Sequence, residues 1–240
     1  MSYPSASTVS FRVRIGVTGH RRLDNPASLQ AVVKQALDVE MPRLFRPESR
    51  AMIDRVRPAG LAPISYRVLT ALAEGADRFV ARAVLEFPRA TLQAVLPLTI
   101  EDYLEDFASE ESRQEFRELL ALCRCPVLLR TRNIRDEQQS RAHEAELRNH
   151  AYGAAGQYVV DHCDVMLAVW DGKPARGRGG TAEIVDYALK QGRPVIRIWQ
   201  GGPALLNATS NSYSNAPPPP SGSSRTPAKS RTAKPGTGRR

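Results

Sequence analysis

The chain has 240 residues, 42% hydrophobic and 25% charged, the make-up of one globular domain with some additional chain. Its net charge of +9 points to nucleic acid until it is divided along the chain. Arg225, Lys229, Arg231, Lys234, Arg239 and Arg240 lie in a stretch, 203–240, that has no acidic residue, so residues 1–202 carry only +3.

In chain order, the first β-type run is Phe11 to Thr18, after a flexible N-terminus over residues 1–10. Helical spacing follows from Pro26 to Glu40. Phe45 to Pro63 reads as a connection, with Pro47, Pro58 and Pro63 around a short helix at Ser49 to Val56. The next strands are Tyr66 to Leu72, Thr91 to Pro97, Pro126 to Arg130, Val165 to Trp170 and Pro194 to Trp199. They alternate with helices at Glu74 to Phe87, Glu101 to Leu122, Glu137 to His162 and Thr181 to Gln191. Several strands are apolar on both faces, which marks a parallel sheet covered by helices on either side. The pattern predicts an α/β fold: a Rossmann-like, doubly wound, mostly parallel sheet of about six strands. The domain is expected to span residues 11–202. Beyond it the Pro/Ser-rich basic segment 203–240, with Pro217 to Pro220, buries too little apolar surface to order and is expected to be disordered.

No apolar run approaches the roughly 18 residues needed to cross a bilayer, which excludes a membrane-spanning helix. Met1 to Ser7 has neither a basic region nor an apolar core, so a cytoplasmic location is expected. Cys123, Cys125 and Cys163 are too few and too oddly spaced for a disulfide framework or a closed zinc site, and are expected to be small buried hydrophobes. His143 and His150 share a helix face with no third ligand, so no metal site is expected. No cofactor is called for, and no Ser/His/Asp or Cys/His arrangement stands at a recognisable spacing.

In an open parallel sheet ligands sit beyond the carboxyl ends of the strands, so three loops hold the candidate ligand-binding residues. After the first strand, Gly16-Val17-Thr18-Gly19-His20-Arg21 offers a small turn with donors on Thr18, His20 and Arg21, a phosphate cradle or equally a tight turn with basic residues in solvent. It is neither a Walker A loop nor a Gly-x-Gly-x-x-Gly fingerprint. After the second, Glu74, Gly75, Asp77 and Arg78 open a helix. The carboxylates serve as helix caps or as ribose ligands, and Gly75 marks a close approach by a backbone or a ligand. After the fifth, Asp171 and Gly172 begin a basic loop that ends in Gly179-Gly180-Thr181 at a helix N-terminus, with Glu183 two residues on. Amides and Thr181 would hold phosphate and Asp171 ribose, against a capped helix behind a glycine hinge.

These loops, in this order, resemble the SLOG superfamily, which includes bacterial DNA-processing (Smf-type) proteins and the "lonely guy" phosphoribohydrolases. The likeness runs from Val13 to Gln200. Ile15 to Arg21 sits where that superfamily has its first ligand loop. Leu69 to Arg78, followed by Ala94-Val95-Leu96-Pro97, is similar to the Smf-type Ser-Gly-Leu-Ala-x-Gly-Ile-Asp segment before a strand reading Ala-Val-Leu. Arg148-Asn149, Val165 to Trp170, Gly180-Thr181-Ala182 and Gln191 to Val195 continue the same run. The phosphoribohydrolases carry Pro-Gly-Gly-x-Gly-Thr-x-x-Glu, and nucleoside deoxyribosyltransferases Gly-Thr-Ala-x-Glu. Here Glu183 is offset by one residue from both, and its hydrolytic role does not transfer cleanly.

The resemblance implies a domain that binds a nucleotide or a nucleotide-derived, ribosyl phosphate ligand as a sensor, and a homo-oligomer, since members often dimerise. The alternative is an N-glycosidic bond hydrolase, with Glu183 and Arg148 as catalytic residues. A second alternative is a single-stranded DNA-binding protein, against which stand the +3 of the folded part and the 6% aromatic content. The tail would add weak, salt-sensitive contact with nucleic acid.

Overall fold

The computed structural model describes residues 11–23, 25–45, 64–130, 132–134, 141–174 and 180–206. The N-terminal residues 1–10, the short helix expected at Ser49 to Val56, the start of the helix expected from Glu137, Gly179, and the tail from residue 207 lie outside them.

Seven strands form one sheet: β1 (Phe11–Gly19), β2 (Ile64–Thr70), β3 (Thr91–Leu96), β4 (Val127–Leu128), β5 (Val165–Val169), β6 (Val195–Trp199) and β7 (Gly202–Leu206), in the order β4-β3-β2-β1-β5-β6-β7. The first six run parallel, with Ile15 opposite both Val68 and Val165. Between them run helices α1 (Pro26–Gln35), α2 (Met41–Phe45), α3 (Ala76–Leu85), α4 (Ile100–Leu104), α5 (Glu110–Ala121), α6 (Arg141–His162) and α7 (Thr181–Lys190). The architecture is a Rossmann-like α/β fold.

Alternation along β1 sorts the helices between two faces. Val13, Ile15 and Val17 pack with Leu29 and Val33 of α1 and with Val80, Ala81 and Val84 of α3. Ala155, Val159 and Val160 of α6 and Ile184, Val185 and Ala188 of α7 cover the opposite face, with Met166 and Ala168 of β5. All five β5 residues are buried, as expected of a central parallel strand. Gly16 lets α6 lie close on the sheet: a Cβ there would stand 2.3 Å from Met166 Sδ and 2.9 Å from Val159 Cγ1. Arg14 ties the lower end of β1 to Asp164 by a 2.7 Å ion pair.

Four elements differ from expectation. A seventh strand, Gly202–Leu206, pairs antiparallel with β6 through a tight hairpin, Trp199 opposite Gly202, so ordered structure passes the expected boundary at residue 202. Pro203 is accommodated because β7 is the sheet edge, where one side of the strand needs no donor. The helix expected over Glu101 to Leu122 is two helices, because Thr99 and Ser109 each cap a new start, accepting from the amides of Asp102 and Ser112. The helix expected to end at Glu40 passes through a π-helical turn, Ala36–Glu40, into α2. Pro42 has no N–H to give and its ring crowds the carbonyl four residues back, which a wider turn relieves. β4 is only two residues long rather than the five of Pro126 to Arg130.

The direction in which the chain crosses the sheet reverses at β1. β2, β3 and β4 lie to one side of it and β5, β6 and β7 to the other. Such a switch point opens a crevice at the carboxyl ends of the central strands.

Candidate functional site

Thr18 and Gly19 are the last residues of β1, and the His20 N–H donates to Val169 O at 3.1 Å, so sheet pairing continues one residue past the strand. The His20 imidazole reaches across the switch point, its Nε2 3.2 Å from both Asp171 N and Asp171 Oδ1. A neutral Nε2 accepts the amide, whereas a protonated ring pairs with the carboxylate. The ring also stands edge-on to Trp199, centroids 5.8 Å apart.

The loop after β5 closes on itself. Asp171 Oδ1 accepts the Lys173 N–H at 3.0 Å, Oδ2 is 3.1 Å from Lys173 Nζ, and Trp170 Nε1 donates to Lys173 O at 2.9 Å. Burial pushes the Asp171 carboxyl up, but the hydrogen bonds from Lys173 and the proximity of His20 outweigh it and hold the group below its ordinary value.

The loop after β2 is tied more deeply. Leu72 is fully buried with a left-handed φ of 59°, an uncommon conformation for a non-glycine residue. It is held there because its N–H donates to Thr70 Oγ1 at 3.1 Å and its carbonyl accepts from Arg78 Nε at 2.9 Å. Arg78, 2% exposed, also donates to Ser112 O and Oγ, pairs with Glu115 at 3.1 Å, and lies over the Phe107 ring. Glu74 accepts from the Ala108 N–H and from the Ser112 hydroxyl. Both side chains thus face α5 and fasten the loop to it. Gly75 has φ +80°, and a Cβ there would lie 2.2 Å from Arg21 O. The close approach at this glycine is the backbone of the β1 loop, joined also by the Ala76 N–H donating to His20 O at 3.0 Å.

Beside the loops after β1 and β2 lies a cleft of about 120 Å³ at the carboxyl ends of β1, β2 and β3, roofed by α6, with no lining residue, among those described, from the loop after β5. Of the expected residues it gathers Thr18, Gly19, Arg21 and Asp77. Tyr103 of α4, Tyr152 and Gly156 of α6, and Ile184 of α7 complete its walls. Asp77, 7% exposed, accepts from the Ala73 N–H at 3.3 Å and from Thr70. Burial pushes its carboxyl up to about 6, even though these hydrogen bonds and the charge of Arg21 pull the other way. The Arg21 guanidinium lies 5.4 Å from the centre of the half-buried Tyr152 ring. Tyr152 donates its hydroxyl to Asp106, which Arg148 also meets at 2.9 Å.

Arg148 is engaged on several sides, reaching Asp102 O, Asp106, Glu105 and Glu144 within 3.5 Å. Glu183 is exposed on the first turn of α7, and its neighbour Ile184 is the residue facing the cleft. The structure therefore places the two expected catalytic residues apart from the cleft lining. Gly180 begins α7 with no side-chain cap, and Thr181, half-buried, is the first helical residue. Among the described residues no His, Cys, Asp and Glu group is able to hold a metal ion. Cys123 and Cys163 are buried as expected and Cys125 is exposed. The sequence reading missed Tyr103 and Tyr152. The local signal for them is weak, a tyrosine inside a charged helix, and only the packing of α4 and α6 over β1 brings them together.

Switch point, loops and cleft define a Rossmann-like doubly wound domain with a small crevice site. No protein-family model and no curated protein matches the chain. Among solved structures it is similar to DNA processing protein A from Helicobacter pylori, described for a unique single-stranded DNA binding mode, at 15% identity and a TM-score of 0.44. The match covers 77% of this chain and 64% of that one, so the chain spans somewhat less than two thirds of its length. No helix among the described residues is long and apolar enough to cross a membrane.

Proposed function

We propose that the domain binds a nucleotide or nucleotide-derived ligand in this crevice, as a sensor-type module. The observation that carries the reading is the cleft itself, in which Thr18 and Gly19 of β1 stand with Arg21, Asp77, Tyr103 and Tyr152 at the carboxyl ends of parallel strands, and to which α7 contributes Ile184. A helix N-terminus presents free amides and positive potential, which suits a phosphate, with Thr181 as an additional donor. The Arg21 guanidinium, laid over the half-buried Tyr152 ring, offers its outer plane to a base. A cleft of about 120 Å³ is well below the roughly 300–1,000 Å³ of pockets that enclose a whole drug-sized ligand. It admits one ring-sized portion while the rest lies along the rim.

The test is calorimetry on the full chain with AMP, ADP-ribose and a short single-stranded oligonucleotide at physiological salt, followed by chromatography of the recovered ligand. Saturable binding of a nucleotide recovered intact, weakened by Gly180→Val and by Thr181→Ala, is the expected result. Unchanged affinity in both variants sinks the assignment of α7 as the phosphate seat. Recovered free base that disappears in Glu183→Gln establishes a hydrolase instead.

A second reading, single-stranded nucleic acid, is favoured by the same Arg21–Tyr152 platform, since base stacking on an aromatic face serves an oligonucleotide equally. Heat from the oligonucleotide alone decides for it. In either reading the basic residues beyond Leu206 add a salt-sensitive attraction to polyanions, checked by comparing retention on DNA with and without residues 207–240.

A further inference from the structure

The amino edge of the sheet, opposite the cleft, carries a row of arginines. Taken across the sheet, Arg124 leads into β4 and Arg89 into β3, while Arg67 stands on β2 and Arg12 on β1. Arg12, Arg89 and Arg124 are exposed and Arg67 is half-buried, and none of the four pairs with a carboxylate among the described residues. Neighbouring strands lie about 4.8 Å apart, so the row sets one cation per strand over about 14 Å. The macrodipole favours a cation behind a helix, which accounts for Arg89 after α3 and Arg124 after α5. It does not account for Arg12 and Arg67, which stand on strands, nor for the register that sets Arg14 directly opposite Arg67. Like charges so placed repel, and Asp164 pairs only with Arg14, at 2.7 Å. Other acids near this edge are engaged elsewhere: Glu40 with Arg43, Asp38 with Lys34, and Asp161 with the Tyr187 hydroxyl. Glu86, exposed at the end of α3, is left to offset a single charge of the row.

The rest of the chain adds to the same edge. β7 runs antiparallel, and Leu206 lies opposite Val195, the first residue of β6. Residues 207–240, with Arg225, Lys229, Arg231, Lys234, Arg239, Arg240 and no acidic side chain, therefore start from the edge that carries the row. Cations in a row beside a basic segment match a polyanion whose charges also lie along a line. Duplex nucleic acid has one charge per about 1.7 Å of its axis and offers charge along the whole row without bending. A single strand calls for open aromatic faces, whereas Tyr158 and His162, at this end of α6, are stacked on each other with ring centres 3.8 Å apart. We infer that the amino edge of the sheet is a docking surface for duplex nucleic acid, whose phosphates meet Arg12, Arg67, Arg89 and Arg124. Phosphate contacts position a duplex and carry no sequence information, so the binding is independent of base sequence. It is also independent of what the crevice at the opposite edge binds.

The experiment titrates a fluorescein-labelled duplex of about 20 base pairs with the full chain, read by anisotropy between about 50 and 200 mM salt. One of its strands alone and vesicles of phosphatidylcholine and phosphatidylserine at 3:1 are run alongside. The variants are the triple change Arg12→Gln, Arg89→Gln and Arg124→Gln, the same three positions changed to Lys, and Arg22→Gln, which removes an exposed charge from the carboxyl edge. For the triple Gln variant the slope of log affinity against log salt is expected to fall by about 2.7, three contacts at about 0.9 each, with affinity down about tenfold or more. The same fall is expected in a full chain whose six basic residues beyond Leu206 are replaced by Gln. The Lys variant keeps most of the slope, and Arg22→Gln leaves it unchanged. Circular dichroism accompanies each variant, and if the triple change fails to fold, Arg12→Gln alone decides, with an expected fall of about 0.9. An unchanged slope in the triple Gln variant overturns the inference, as does a loss seen only when the six residues beyond Leu206 are replaced. Tighter binding of the single strand than of the duplex overturns it as well, and so does binding to vesicles with none to the duplex. No binding of the duplex by the wild type at the lowest salt overturns it outright, whatever the crevice binds.

Discussion

The two loops that flank β1 at the carboxyl edge occupy equivalent places in the sheet and are built on different principles. The loop after β2 is fixed by buried polar groups: Leu72 in a left-handed conformation, Arg78 2% exposed and bonded to two segments, and Gly75 pressed on the Arg21 backbone. The loop after β5 is fixed near the surface by Asp171, Lys173 and His20, with the lysine side chain 69% exposed. Buried donors that lose a partner cost their full desolvation, whereas exposed ones return to water. The first loop is therefore rigid architecture that holds Asp77 in place, and the second is a surface turn that yields cheaply.

The sharpest way to break the first loop is Gly75→Val. It combines a φ of +80° with a Cβ 2.2 Å from Arg21 O, and strain and overpacking each contribute about 1–3 kcal/mol. Urea denaturation should show a loss on the order of 4 kcal/mol. Arg78→Leu comes next. It leaves the buried Leu72 carbonyl and Ser112 without their donor, at about 3 kcal/mol, the upper end for a buried polar group left unsatisfied. A loss under about 1 kcal/mol would mean that Leu72 holds its conformation without the arginine.

Much of the fold was legible because its cause is local. Strands such as Val165 to Trp170 are apolar on both faces, and that suffices to place them between helical layers. β7 was not, because Pro203 and Ala204 read as the start of a Pro-rich tail and only the edge position makes a proline tolerable there. Asp77 was legible as an acid at a helix start, a feature shared with any N-terminal cap. What separates it from Glu74, three residues earlier, is tertiary: Glu74 faces Ser112 and Ala108, while Asp77 faces the cleft. Tyr103 and Tyr152 lie 49 positions apart and meet at 6.4 Å between ring centres. No spacing rule connects two such residues on separate helices. Of the two approaches Gly75 offered, backbone or ligand, the structure shows the backbone of the β1 loop, while at Gly16 it is α6 that comes close.

Asp77 gives the comparison a pH axis. Its folded value of about 6 lies above the ordinary 3.8, so the native state holds the extra proton between those values. Stability therefore declines as pH rises through that window, and the penalty is complete above it. A shift of this size is worth about 2–3 kcal/mol. Asp77→Asn, which has no charge to bury, should gain stability relative to the wild type by that order between pH 4 and pH 7.5, read from paired urea melts. A constant difference across the range would place the Asp77 carboxyl in contact with water.

The smallest effect belongs to the second loop. Asp171 is held below its ordinary value, the opposite sign, so what it contributes is present at neutral pH and is lost as pH falls through its lowered folded value. Lys173→Ala removes the Nζ contact but leaves the Lys173 N–H on Oδ1 and His20 beside the carboxylate. Exposed pairs of this kind are worth about 0–1 kcal/mol. The expected change in a neutral-pH melt is under about 0.5 kcal/mol, with the Asp171 carboxyl moving up towards its ordinary value in a carbon-detected NMR titration. A loss as large as that of Arg78→Leu would show that the turn after β5 is anchored as deeply as the one after β2, and the contrast between the two loops would fail.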